Sequence, residues 1–256
     1  IPVDLKVILV GDPETHALLS AAEPRFVDLF KILADFGDTI ARDAEGYRAY
    51  ATMLSRLVQR DELQPLNKAA VAALIEHGAR ICSQGDRLTT RFGRIAELAR
   101  EASFLSQQSG NAVVSGPDVS ASIARSKHRA DPPARRFRRL IANRPIRIET
   151  EGERVGEVNG LAVTSTGSLI YGFPTRITAT IGPGNAGMIN IERESDLSGA
   201  IHTKGFMILI GLLRSTLNLD HPMAFSASIA FEQSYGGIDG DSASGAEFCC
   251  LMSALT

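Results

Sequence analysis

The sequence is poor in cysteine, in long hydrophobic runs and in net charge, and each shortage excludes a class of protein. Its 256 residues include three cysteines, two of them adjacent (Cys249 and Cys250), which excludes a disulfide framework and favours a reducing compartment. The longest apolar run, residues 205–213, is too short to cross a bilayer, and no signal peptide is recognisable. The formal net charge of −2 gives no overall field that would attract nucleic acid. We therefore expect a cytoplasmic globular protein that does not enter a membrane.

The sequence also lacks an initiator methionine at its start and a recognisable domain boundary at its end. It opens with "IPVDLKVILVGD", already in the pattern of a buried strand, and it stops at Thr256 within an apolar helical pattern. We therefore expect a fragment of a longer protein in which both chain ends are incomplete.

The hydrophobic pattern changes twice along the chain. Residues 5–10 predict a buried strand, after which a Gly-Asp-Pro turn, a short helix and a strand-like return follow. Residues 44–125 carry apolar residues at helical spacing in four segments, and Ser115 is the predicted cap of the last one, so we expect a small helical bundle. After residue 147, β-branched runs broken by glycines predict an α/β module, with 225–231 as its clearest strand.

Arginine is concentrated between residues 125 and 147, on either side of Pro132 and Pro133. We interpret this segment as a solvated helix and a linker. A nucleic-acid surface is the alternative, but Phe137 is the only aromatic residue within the run. DNA is therefore retained only as a weak prediction for a partner.

One short stretch near the end of the sequence indicates chemistry. Residues 236–247 read "GGIDGDSASGAE", in which three glycines precede Ser242. The order strand, glycine turn, serine, helix places one hydroxyl at a helix N-terminus, where an oxyanion formed in acyl transfer would be stabilised. The alternative is that Ser242 only caps the helix. Of its acidic neighbours, Asp241 is a predicted helix cap and Asp239 is predicted to orient or to block the site.

A serine nucleophile needs a base, and the sequence offers few. His202 and His221 flank a predicted helix at 203–219 and could complete a triad, although each is expected to be an exposed or capping residue. A lysine whose pKa burial lowers is another possible base. None of the five lysines follows Ser242, and Lys204 is interpreted as a surface or cap residue.

Several motifs in the second half of the chain resemble the proteolytic domain of Lon proteases. They are "VNGLAV" at 158–163, "IHTKG" at 201–205 and "FEQSYGGIDGDSAS" at 231–244, in the order of that family. The LonB-like branch is the most similar, because Gly-Asp rather than Gly-Pro precedes its serine. In the first half, "DLKVILVGD" resembles the sensor-1 strand and turn of AAA+ ATPases, and residues 44–125 resemble their helical small subdomain.

This resemblance implies an α+β chain in which a helical AAA+ small subdomain is followed by an α/β Lon-type proteolytic domain. Its predicted parts are a C-terminal remnant of an AAA+ α/β subdomain (1–43), a helical lid subdomain (44–130), a basic linker (131–150) and a proteolytic domain without its C-terminal part (151–256).

The resemblance also implies roles for single residues. Ser242 matches the nucleophile of the family's Ser–Lys dyad, whose lysine lies downstream of the chain, so we expect the fragment itself to be inactive. Arg94 is the first candidate for a sensor-2 arginine at the ATP, and Arg91 is the second. Asp12 lies in the turn where sensor 1 is usually asparagine. ATP with Mg²⁺ is expected in the full-length protein, whereas none is expected in the fragment, because the Walker motifs are absent from it.

Two functions follow from the resemblance. The first is an ATP-dependent serine endopeptidase that forms a hexameric ring and degrades unfolded or regulatory proteins. The alternative is a non-proteolytic AAA+ remodelling or chaperone-like protein that uses the Lon-type domain as an assembly platform. A lysine that reaches Ser242 would distinguish the first from the second.

Overall fold

A computed structural model describes residues 4–166, 169–185, 187–217 and 225–255. The described residues form two compact units, one that ends at Ser122 and one that begins at Ile123. The mixture of helices and strands confirms the predicted α+β class.

The first unit opens with two short helices, α1 (Pro13–Ala22) and α2 (Phe26–Leu29). Helix α1 begins after Asp12 because the Asp12 carboxylate accepts a hydrogen bond from the Thr15 amide at 2.7 Å. The buried strand predicted at residues 5–10 is wrong, since these residues are exposed and have no regular secondary structure. The strand-like return predicted at residues 24–36 is also wrong, because residues 26–29 form α2 and residues 30–36 have no regular secondary structure. No strand among the described residues pairs with either apolar segment, and an unpaired segment cannot form a sheet.

The remainder of the first unit confirms the four predicted helices and adds a small sheet. The helices are α3 (Ala44–Arg60), α4 (Lys68–Cys82), α5 (Phe92–Gln108) and α6 (Gly116–Ala130), the last of which contains the boundary between the units. Strands β1 (Thr39–Ala41) and β2 (Arg87–Thr89) pair in antiparallel fashion. The buried core includes Tyr50, Leu54, Leu74, Leu88 and Ile95.

The second unit combines one sheet with four helices among its described residues that begin after Ile123. In chain order the elements are α7 (Pro132–Ala142), β3 (Glu157–Thr166), β4 (Leu169–Pro183), β5 (Gly187–Asn190), α8 (Ile191–Glu194), α9 (Ala200–Leu217), β6 (Phe225–Phe231) and α10 (Ser244–Leu255).

The sheet of the second unit has the strand order β3-β4-β6-β5. Neighbouring strands are antiparallel except for β5 and β6, which are parallel. Along β6 the apolar side chains of Ala227, Ile229 and Phe231 are buried, as their alternation predicts. They form one core with Phe206 and Leu209 of α9 and with residues of β4 and α10. The two long helices are therefore held by the strand that leads to the serine-containing stretch.

The arginine-rich segment contains helix α7, and two of its arginine side chains have a carboxylate partner in the second unit. Arg138 contacts the Asp131 carboxylate at 2.5 Å, and Arg135 lies 3.9 Å from the same group. The Phe137 ring packs on Phe173 of β4 with 4.3 Å between ring centroids. The nucleic-acid alternative stays a prediction.

The three cysteines are free thiols that differ in exposure. Cys249 is exposed, Cys82 is half-buried and Cys250 is buried. The Cys250 thiol donates to the Gly156 carbonyl at 3.1 Å, and burial raises the pKa of Cys250 to about 11. Across the described ranges, no helix combines the length and the apolar character that a membrane span requires.

Candidate functional site

Ser242 lies in the turn 241–243, between the end of the β6 segment and the first residue of α10. Its side chain is exposed, and its hydroxyl has no hydrogen-bond partner among the described residues. The hydroxyl therefore does not act as a helix cap, although capping is the commonest use of a serine at this place. The geometry leaves the oxygen accessible to an incoming group.

Two of the glycines before Ser242 have backbone angles that favour glycine. Gly237 has a φ of +81° and Gly240 a φ of +94°. Other residues rarely adopt this left-handed region because a Cβ atom clashes with the backbone there. The glycines thus turn the chain sharply between β6 and α10, and that turn brings Ser242 to the surface.

The amide groups at this turn are available to a negatively charged ligand. Among the described residues, neither the Ser242 nor the Ala243 N–H has an acceptor. The Ser244 N–H donates to the main-chain carbonyl of Asp241 at 3.1 Å, so Asp241 closes the turn through its backbone. The predicted cap by the Asp241 side chain is wrong, because that carboxylate is exposed and accepts no hydrogen bond from the described residues. The two free amides and the start of the twelve-residue α10 form a place suited to an oxyanion.

Asp239 joins the serine loop to the start of α9. One oxygen of its carboxylate accepts hydrogen bonds from the amides of Ile201 (3.2 Å), His202 (3.1 Å) and Gly240 (2.8 Å). These hydrogen bonds, with that of Gly240 the strongest, lower the pKa of Asp239. Asp239 is therefore an ionised cap for α9, which gives a structural role to a residue predicted to orient or block the site.

Gly205 allows α9 to approach the serine turn closely. A Cβ atom at this position would lie 3.0 Å from the Ser244 Oγ and 3.3 Å from the Asp241 Cβ. Both distances are tighter than ordinary van der Waals contact. The glycine of the "IHTKG" motif therefore allows α9 to pack directly against the turn that carries Ser242.

His202 and Glu247 form a buried pair between α9 and α10. The His202 Nε2 lies 3.1 Å from the Glu247 Oε1, and neither side chain has exposed surface. The other ring nitrogen, Nδ1, lies 2.9 Å from the Ser198 hydroxyl, which in turn lies 2.8 Å from the Thr203 hydroxyl. Because both ring nitrogens have partners, His202 is not placed as a base for Ser242.

The carboxylates around His202 favour its protonated form. The hydrogen bond to Glu247 is the main cause that raises the pKa of His202, and the charges of Glu247, Glu192 and Asp239 add to it. Burial opposes the shift because it disfavours the charged ring. The Phe231 ring contacts His202 edge-on, with 5.7 Å between the ring centroids. The hydrogen bond between His202 and Glu247 is therefore buried between α9 and α10, beside the Phe231 ring of β6.

A cleft of about 550 Å³ lies beside the serine loop. Residues 196–199 line one side of it and residues 235–239 line the other. The two sides are joined by a short parallel β-bridge between Ser198 and Ile238. The Tyr235 side chain is 82% exposed at this cleft, so it is available for contact with a bound chain.

Possible roles were also predicted for Lys204, His221 and Arg94. Lys204 is exposed, and His221 falls outside the described residues. Arg94 belongs to the other unit, where it is exposed in the first turn of α5 without a side-chain partner among the described residues. Within the described ranges no cluster of three or more His, Cys, Asp or Glu side chains could hold a metal ion.

The sequence analysis did not assign a role to three residues that contact the serine turn or the elements on either side of it, namely Gly205, Glu247 and Glu192. One signal was available, because Glu247 is a charged residue within the apolar pattern of α10. A buried charge of this kind usually has a partner. The partner, His202, lies 45 residues away, so no local pattern could have identified it.

Two family models match the first part of the chain. The model of the archaeal LonB AAA+ ATPase lid domain matches residues 65–129. The model of the LonB-like AAA domain matches residues 1–37.

Curated relatives match nearly the whole chain. A putative Lon protease homolog of Escherichia coli (strain K12) is 35% identical over 99% of this chain and 43% of its own length. A putative Lon protease homolog of Haemophilus influenzae is 31% identical over 99% of this chain and 42% of its own length. An archaeal Lon protease of Thermoplasma acidophilum is 28% identical over 100% of this chain and 39% of its own length. The chain thus spans about two fifths of the relatives it matches, and it belongs to the LonB-like branch of the Lon protease family.

Proposed function

We propose that this chain is part of an ATP-dependent serine endopeptidase in which Ser242 is the nucleophile. The observation that carries the proposal is the exposed, unpartnered Ser242 hydroxyl beside two free amides at the start of α10. A hydroxyl in this position can attack a peptide carbonyl, and the amides can stabilise the oxyanion that forms.

The proposed reaction proceeds through an acyl-enzyme. Ser242 Oγ attacks the carbonyl carbon of a peptide bond, and a lysine supplied from outside this chain takes the hydroxyl proton. The tetrahedral oxyanion lies at the Ser242 and Ala243 amides until the C–N bond breaks and the amine leaves with the proton. Water then hydrolyses the ester and restores Ser242. In this proposal His202 takes no part in proton transfer, because Glu247 and Ser198 occupy its two nitrogens.

An extended protein segment is the proposed substrate. The cleft between 196–199 and 235–239 is lined by the loop that leads directly to Ser242, and the exposed Tyr235 ring lies in it. An open cleft with an exposed aromatic ring can contact an extended chain of many sequences. We therefore propose unfolded proteins as the substrate class.

ATP is proposed to act at the AAA+ part of the full-length protein, which would form a hexameric ring. Arg94 fits contact with a phosphate, because its guanidinium is exposed and carries no carboxylate partner among the described residues. The ligands of Mg²⁺ are proposed to lie with the Walker motifs in the full-length protein. When bound, ATP with Mg²⁺ would supply the energy for moving the substrate.

The test is hydrolysis of casein and of a fluorogenic peptide by the complete gene product. Ser242→Ala is expected to lower kcat by about 10³-fold or more, because the reaction loses its nucleophile. Ser234→Ala, which changes a serine in the same loop, is the matched control and is expected to keep activity.

Two results would contradict this proposal. Peptide hydrolysis that survives Ser242→Ala would exclude Ser242 as the nucleophile. A complete protein that hydrolyses ATP but no peptide would instead favour the non-proteolytic remodelling alternative.

A further inference from the structure

We propose that the first turns of α9 position Ser242 for attack, through the close contact at Gly205 and the buried contact between His202 and Glu247. This inference rests on the proposed peptidase function and deepens it, because it assigns positioning roles to residues that touch neither substrate nor nucleophile.

The close contact at Gly205 sets the distance between the serine turn and α9. The Asp241 Cα would lie 3.4 Å from a Cβ atom at position 205, and the Ser244 Oγ would lie 3.0 Å from it. Asp241 and Ser244 bracket Ser242 in the chain. A side chain at position 205 would therefore require the neighbouring atoms of Asp241 and Ser244 to move by a few tenths of an ångström.

The contact between His202 and Glu247 fixes the direction in which α10 leaves the turn. Glu247 lies one helical turn after Ser244, and the 3.1 Å contact attaches that turn to α9. Asp239 makes a second connection, because it caps α9 from the loop that precedes Ser242. The serine turn is thus attached to α9 on both sides, before and after the nucleophile.

Such attachment affects rate more than substrate binding. The attacking oxygen must lie within about 3–3.5 Å of the carbonyl carbon, and a misplacement of about 1 Å costs on the order of 100-fold. The three atoms nearest to a Cβ atom at position 205 belong to Ser244 and Asp241 and not to the cleft residues 235–239, so the affinity for substrate is expected to change little. A loss in kcat with an unchanged KM is therefore the expected signature.

The experiment compares two glycines of the same helix in the complete gene product. Gly205→Ala is expected to lower kcat for a fluorogenic peptide by about tenfold, with KM within about twofold of the wild-type value. Gly211→Ala is the matched control, because a Cβ atom at position 211 meets no atom within 4 Å. The rate at which a fluorophosphonate probe labels Ser242 should fall in parallel for Gly205→Ala, and the ATPase rate should not.

A second pair of variants tests the buried contact. Glu247→Ala is expected to lower kcat and the labelling rate, whereas Glu247→Gln, which can still bond to His202, should recover most of both. If Glu247→Ala does not fold, two other comparisons test the positioning role. One is Glu247→Gln against wild type, and the other is Gly205→Ala against Gly211→Ala.

The outcomes separate the two levels of the proposal. If Ser242→Ala is inactive but Gly205→Ala matches Gly211→Ala in kcat and labelling rate, the positioning inference is wrong while the peptidase function stands. If the wild-type protein cleaves no peptide, both are wrong. A rise in KM with constant kcat for Gly205→Ala would also overturn the positioning role, since it would place the residue in substrate binding.

Discussion

His202 and Glu247 have no exposed surface, so the contact between them is shielded from solvent. Removing one partner of a buried ion pair leaves the other without compensation and costs about 3–5 kcal/mol. The protonated form of His202 is the one that Glu247, Glu192 and Asp239 stabilise. The stability of the second unit should therefore depend on pH through this histidine.

The sign of that dependence follows from the raised pKa of His202. A histidine whose pKa is higher in the folded state adds stability that is complete below its unfolded pKa of about 6.5. This contribution is lost as the pH rises through the folded-state pKa. The free energy of unfolding of the wild-type protein should thus decrease from about pH 6 upward, relative to His202→Gln.

Urea unfolding at several pH values between 5 and 9 measures this difference. His202→Gln keeps a polar side chain but cannot gain a proton in this range, so titrating groups that do not interact with His202 contribute equally to both proteins. A difference that is flat with pH, or that grows toward high pH, would contradict a charged His202.

At the scale of elements, Glu192 of α8 holds the end of β6. Its Oε1 accepts a hydrogen bond from the Phe231 amide at 2.7 Å, and the side chain is buried. β6 ends at this amide, and the serine loop begins directly after it. The four-residue α8 therefore provides the hydrogen-bond acceptor for the last amide of β6.

Glu192→Ala is expected to destabilise the protein by about 1–3 kcal/mol, because the buried Phe231 amide loses its acceptor. Glu192→Gln keeps an acceptor oxygen and should cost less. Thermal unfolding of both variants against wild type checks this order. Equal losses for the two variants would mean that the charge, rather than the hydrogen bond, is what matters there.

Helices and strands with a regular pattern were predicted correctly, because their burial follows from local spacing. The four helices of residues 44–130 and the buried face of β6 are examples. The apolar run at residues 5–10 has no alternation, so nothing local distinguishes a buried strand from an exposed segment. Strands β1 and β2 were not predicted, because a strand of three residues is too short to show the two-residue alternation of apolar and polar side chains.

The candidate site was predicted in part. The serine, its glycine turn and the helix after it are consecutive in the sequence, and a local pattern sufficed. The contacts of Asp239 with α9 and of Glu247 with His202 join residues that lie 37 to 45 positions apart. Only the packing of α9 against α10 brings them together, so the sequence alone could not assign them.

At the scale of the whole molecule, the two proposed activities lie in separate units. Ser242 belongs to the second unit and Arg94 to the first. Since the chain spans about two fifths of its relatives, each activity is expected to need segments beyond this chain. Substitutions in the first unit should therefore affect peptide cleavage only through ATP.

Arg94→Ala is expected to lower the ATPase rate of the complete gene product by about tenfold or more, because a charged contact to phosphate is lost. Arg56→Ala, which removes another exposed arginine of the same unit, is the control and should leave the rate unchanged. Hydrolysis of a short peptide that needs no unfolding should persist in both variants. An unchanged ATPase rate in Arg94→Ala would move the assignment to Arg91.

Because the three thiols differ in exposure, one of them, Cys249, is suited to the attachment of a fluorescent label. A maleimide dye at neutral pH reacts with thiolates, so the buried Cys250, with a pKa of about 11, is protected, while Cys249 beside it is open to the reagent. Cys249 is on the helix that starts just after Ser242. Fluorescence from a label at Cys249 would therefore report on the surroundings of the serine turn as substrates arrive.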